Sequence, residues 1–150
     1  MRELLLQLQN IWRYYRVPRR IYSRNEVFNA IGSLFQWNPR FRYELLDQQY
    51  AITTGDSWYA TMRNFWLQQK RHVANLYDCD DFAFWMKAWA AGLGITGVAI
   101  VIDYSAEHAY NVIVLEEVEG LMAYLIEPQT GFSVSPRQGL YQMQEGVLLI

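Results

Sequence analysis

The sequence predicts an α+β fold: a helical N-terminal half, then a central helix that starts at a cysteine and packs on an antiparallel sheet. Two observations predict it. Apolar residues recur at helical spacing as far as residue 91, and beyond that point the pattern changes to β-branched runs. Helices first and a meander of strands afterwards describe α+β rather than alternating βαβ units.

Taken in order, a short helix is expected around Leu4–Trp12, followed by the basic run Arg16-Val17-Pro18-Arg19-Arg20, which reads as a solvated loop. Asn25 can cap a helix carrying Val27, Ile31 and Leu34 at i, i+4, i+7 spacing. Asn38 before Pro39 is a second start signal, with Phe41, Leu45 and Leu46 as the apolar face. Asp56 opens a third helix whose stripe is Trp58, Met62, Phe65, Trp66 and Val73. From Phe82 to Ala91 only Lys87 is charged, which describes a buried central helix that Gly92 and Gly94 terminate. Strands are expected at Gly97–Asp103, Ala109–Glu116 and Leu121–Ile126, the last two joined by Glu117-Val118-Glu119-Gly120, with shorter ones at Gly131–Ser135 and Val147–Ile150. With no repeat, low-complexity tract or proline-rich linker, residues 1–150 read as a single domain: a helical N-terminal extension over 1–55 and a core over 56–150.

Composition narrows the chemistry. The 150 residues are 52% apolar and 19% charged, as in a compact domain. One cysteine and two histidines exclude an internal disulfide, a three-histidine metal centre, and the zinc frameworks built from four cysteines or from paired cysteines and histidines. The net charge of −2 gives no argument for nucleic acid as a partner. The halves differ, however: residues 1–75 hold eleven basic against five acidic side chains and residues 76–150 two against ten, which suits a self-complementary surface or a homodimer contact. The first residues are too polar for a signal segment, and the longest apolar stretch, Phe82–Ile102, is broken by Lys87 and three glycines. A cytoplasmic location without membrane attachment is therefore expected, in keeping with the unpaired thiol.

The informative segment is Tyr77-Asp78-Cys79-Asp80-Asp81-Phe82. With Asp78 as N-cap, Cys79 falls in the first helical turn, where free N–H groups and the positive end of the dipole favour a thiolate. The alternative is an inert buried cysteine beside Phe82. A thiolate nucleophile needs a base and a group that orients the base. His108 starts the second strand and Glu127 ends the third. A hairpin centred between Glu117 and Val118 places His108 directly opposite Glu127, whereas a one-residue slip would put them on opposite faces. His72 is a rival base at the basic end of the third helix. Asp78, Asp80 and Asp81 either complement the helix dipole or contribute ligands to a hard cation such as Ca2+, which would relieve their repulsion of a thiolate.

Cys79 in DCDDFA, His108 in HAYN and Glu127 in EPQTG resemble the papain-like and transglutaminase-like cysteine hydrolase superfamily. The likeness is nearest to the papain-like C-terminal protease domain of the mushroom agglutinin chimerolectins, and similar small domains occur in phage genomes. It covers about residues 56–135. The resemblance implies a helix packed on an antiparallel sheet, Cys79 as nucleophile, His108 as base and then acid, Glu127 as orienter, and calcium dependence. It also implies an oxyanion donor upstream of the cysteine. The papain-type position holds Val73, which leaves Gln68, Gln69 or Trp58.

The expected function is then a cysteine hydrolase, a thiol protease or amidase that cleaves a protein or peptide substrate through a thioester. Two alternatives stand beside it. One is a transglutaminase-type acyl transferase. The other is a non-catalytic structural or interaction protein that keeps the fold, favoured by the aromatic residues Trp12, Tyr14, Tyr15 and Trp37 and by the charge-divided halves.

Overall fold

In the computed structural model residues 17–63, 65, 71–74 and 76–150 are described. The helix expected around Leu4–Trp12, with Tyr14, Tyr15, Arg16, Trp66, Gln68, Gln69 and Lys70, lies outside them. The order of elements is β1 (Arg20–Ser23), α1 (Arg24–Leu34), β2 (Phe41–Glu44), β3 (Gln49–Ile52), α2 (Gly55–Met62), α3 (Cys79–Gly92), β4 (Val98–Asp103), β5 (His108–Glu117), β6 (Gly120–Glu127), β7 (Phe132–Val134) and β8 (Gly146–Leu149).

The fold is thus mostly β, and the expectation of a helical N-terminal half over an antiparallel sheet is corrected. Six strands form one mixed sheet in the order β2-β8-β4-β5-β6-β7, and β1 and β3 form a separate antiparallel ribbon. Within the main sheet β2 and β8 run parallel and the other neighbours antiparallel. Three strands therefore occupy the stretch read as helical. The segment after Asn38-Pro39 fails to become a helix because local hydrogen bonds hold it in another shape. Gln36 and Trp37 adopt positive φ, the Asn38 side chain accepts the Arg40 N–H at 3.0 Å, and its Nδ2 donates to Met143 O and Gln144 O at 2.9 Å. Asn38 thus makes an Asx turn that feeds β2. The third helix stops at Met62, and Val73 sits on the surface, bridged to Tyr77.

α1 forms where a helix was expected, but its cap is Ser23. The Ser23 side chain accepts from the Glu26 N–H, and Glu26 returns by accepting the Ser23 N–H at 2.8 Å, which satisfies two end donors reciprocally. Its apolar stripe, Val27 and Ile31, is fully buried. β5 explains the layering: all residues from His108 to Leu115 are buried, as in a strand covered on both faces. Tyr110, Val112 and Val114 join Val27 and Ile31 on the α1 side. Ile113 and Leu115 join Trp58, Phe82 and Met86 on the side of α2 and α3. Asn111 fastens α3 to the sheet, its Nδ2 donating to Ala83 O at 3.0 Å and to Ala99 O at 2.9 Å. Among the described residues no helix is long and apolar enough to cross a membrane.

Candidate functional site

Helix α3 begins at Cys79 with Asp78 as an extended N-cap, and the Asp78 N–H donates to Asp81 Oδ2 at 3.3 Å. The thiol is half-buried and packs beside Ala83, Ile100 and Ala109. At this end of the sheet β4 turns into β5. Glu107 closes that turn at φ 49°, a conformation that costs a non-glycine residue about 1–2 kcal/mol, and it delivers His108 as the first residue of β5. Cys79 and His108 line one recess of about 240 Å3 with Asp80, Ile102, Asp103, Tyr104, Glu107 and Ala109.

The β5–β6 pairing runs Asn111 to Ile126 and Glu117 to Gly120, so the hairpin is centred between Val118 and Glu119. The expected centre was one residue earlier. That changes the pairing by two positions, which preserves the face. Glu127 therefore stands diagonal to His108 rather than opposite it, and a long carboxylate side chain spans a diagonal. The His108 Nε2 atom lies 3.0 Å from Glu127 Oε2, and each residue is 9% exposed.

Glu127 has two further donors: the Tyr141 hydroxyl donates to Oε2 at 2.7 Å, and the Gln129 N–H donates to Oε1 at 3.1 Å. Burial alone would raise the Glu127 carboxyl. The hydrogen bonds from His108, Tyr141 and Gln129 outweigh it and hold the group below the ordinary glutamate value. An ionised Glu127 accepts, so Nε2 of His108 carries a proton, and in the neutral imidazole Nδ1 is then the nitrogen with the free lone pair. Burial, together with Glu127, pushes the Tyr141 phenol up, which keeps it a neutral donor.

The other sequence candidates separate. Asp78, Cys79 and Asp80 offer ligand atoms within 4.8 Å of one another, whereas Asp81 is turned back to the Asp78 N–H. A hydrogen bond shared with Asp78 raises the Asp80 carboxyl, with burial and the charge of Asp78 adding to it. Two carboxylates and a thiol are fewer oxygen donors than Ca2+ ordinarily takes. His72 is exposed and does not line the recess. Trp58, named as an oxyanion donor, is fully buried in the core, with no partner for its Nε1 among the described residues.

Three contributors escaped the sequence reading. Tyr141 lies in an irregular segment with no periodic signal. Gln129 acts through its backbone alone. Asp103 is fully buried and accepts from Tyr110 Oη at 3.1 Å, Met143 N–H at 2.7 Å, Ser105 N–H at 3.1 Å and the Ser105 hydroxyl. An acid that ends a β-branched strand was the one available signal for it.

No protein-family model matches the chain, and no curated protein does. Solved structures do. The structure of PSL1a in complex with E64 matches 87% of this chain and 51% of its own, at a TM-score of 0.64 and 20% identity. The Polyporus squamosus lectin bound to the human-type influenza-binding epitope Neu5Aca2-6Galb1-4GlcNAc matches 79% of this chain and 48% of its own, at a TM-score of 0.52 and 20% identity. The chain thus spans about half the length of the structures it matches. The second of these bears the name of a lectin, and the resemblance to papain-like and transglutaminase-like cysteine hydrolases, with the thiol-protease function it implied, is corrected on that ground. What the likeness establishes is the fold, one shared with part of a lectin.

Proposed function

We propose that this chain is an interaction module whose partner is a carbohydrate, and that Cys79, His108 and Glu127 are its working residues. The observation that carries the first part is the fold shared with the Polyporus squamosus lectin, seen bound to a trisaccharide epitope. Support for the second is the recess at the head of α3, where a thiol, an imidazole with a fixed proton and flanking carboxylates lie together. Such groups donate to and accept from hydroxyls. At about 240 Å3 the recess is smaller than an ordinary small-molecule site, so it admits one ring or a chain end.

The test is calorimetric titration of the whole chain with neutral and sialylated oligosaccharides, before and after alkylation of Cys79 and in His108→Ala. Saturable binding weakened at least 10-fold by alkylation and by His108→Ala is the expected result. Binding to none of the oligosaccharides overturns the carbohydrate partner, and binding indifferent to both changes removes these residues from the site. Amide hydrolysis that disappears in Cys79→Ser would replace the binding reading altogether.

A further inference from the structure

We propose that Tyr141 is a positioning residue: through Glu127 it fixes the His108 proton on Nε2 and so leaves Nδ1 as the basic nitrogen at the Cys79 recess. The inference rests on the reading of Cys79, His108 and Glu127 as the working site. Glu127 Oε2 is shared by two donors, His108 Nε2 at 3.0 Å and Tyr141 Oη at 2.7 Å, while Oε1 takes the Gln129 N–H at 3.1 Å. A carboxylate held by three donors cannot rotate to offer His108 a different oxygen without breaking one of them.

The ring of Tyr141 adds a second restraint. It stands edge-on to His108 with centroids 5.6 Å apart and edge-on to Tyr110 at 5.2 Å. Tyr110 is itself tied to Asp103. The imidazole is therefore walled by two tyrosines and anchored by one carboxylate, the arrangement that sets a histidine tautomer through the hydrogen bond made by the other nitrogen. The remaining titratable groups about His108, namely Cys79, Asp80, Asp103, Tyr104 and Glu107, line the recess.

The experiment is nitrogen-15 spectroscopy of the imidazoles in the whole chain, with exposed His72 as internal control, comparing wild type with Tyr141→Phe. The Phe variant keeps the ring and removes only the hydroxyl. Wild type is expected to show one neutral His108 tautomer, protonated on Nε2. Tyr141→Phe is expected to populate the second tautomer and to speed Nε2–H exchange with water at least 10-fold, with His72 unchanged. Alkylation of Cys79 at neutral pH should slow about 3-fold to 10-fold in the same variant. An unchanged His108 spectrum and exchange rate in folded Tyr141→Phe overturns the proposal. Alkylation indifferent to His108→Ala overturns the working-site reading instead, and the imidazole spectrum still decides the role of Tyr141.

Discussion

Two buried carboxylates flank the start of β5 and do different work. Asp103 is fully buried, and each of its oxygens accepts two bonds, from Ser105, Tyr110 and the Met143 N–H. Although Asp103 itself lines the recess, those partners hold the β4–β5 turn and the segment before β8. Glu127 has the same kind of burial and also takes a tyrosine, but its third partner is an imidazole that borders the recess. One carboxylate closes a corner of the fold, and the other holds by hydrogen bond an imidazole that lines the recess. Burial alone therefore does not mark a working acid. The identity of its donors does.

If that contrast holds, the largest effect comes from Asp103→Ala. It strands the buried Met143 N–H and Tyr110 hydroxyl, and each stranded donor costs about 1–3 kcal/mol, so urea unfolding should show a loss of about 3–5 kcal/mol. Glu127→Gln is expected to cost only about 1–2 kcal/mol, because an amide still accepts, while Cys79 alkylation at neutral pH falls at least 10-fold. A Glu127 variant that lost stability like Asp103→Ala with unchanged thiol reactivity would erase the distinction.

Acid sharpens the same comparison. Glu127 is held below the ordinary glutamate value in the folded chain, so its contribution is complete above about pH 4.3 and drains as pH falls through its lower folded value. Thermal midpoints between pH 6 and pH 3 should fall more steeply in wild type than in Glu127→Gln. The smallest effect is expected from Glu107→Gly, which relieves the positive φ before His108 and should stabilise by up to about 1 kcal/mol in urea unfolding.

The legible parts of the chain were those whose signals are local. The β-branched runs of β4 and β5 and the apolar run of β6 announced strands, and the places of Cys79, His108 and Glu127 were readable from a helix start, a strand start and a strand end. Their register was off by two because Gly120, at φ 119°, takes the first place of β6 and leaves Val118 and Glu119 as the loop. What the sequence hid is non-local. Asn38 looks like a helix start until its side chain meets Met143 O and Gln144 O on a distant segment. Ser23 as the cap of α1 is legible in its three-residue spacing to Glu26, whereas Asn25, expected as the cap, lies inside the first turn. Tyr141 has no local signature, because only folding brings it beside Glu127.

The placement of β8 has a consequence for assembly. It lies between β2 and β4, parallel to the first and antiparallel to the second, and a Cβ at Gly146 would collide with the Ile102 carbonyl and come within 2.8 Å of the Phe41 ring. Among the described residues β2 has no other strand neighbour in the sheet. As a strand, the early part of the chain reaches the main sheet through β8 alone, a pairing between residues 41–44 and 146–149 that closes a long loop. Pairings so distant in sequence are the kind that slow folding, and the β4 edge that β8 covers is open to wrong pairing whenever β8 is absent.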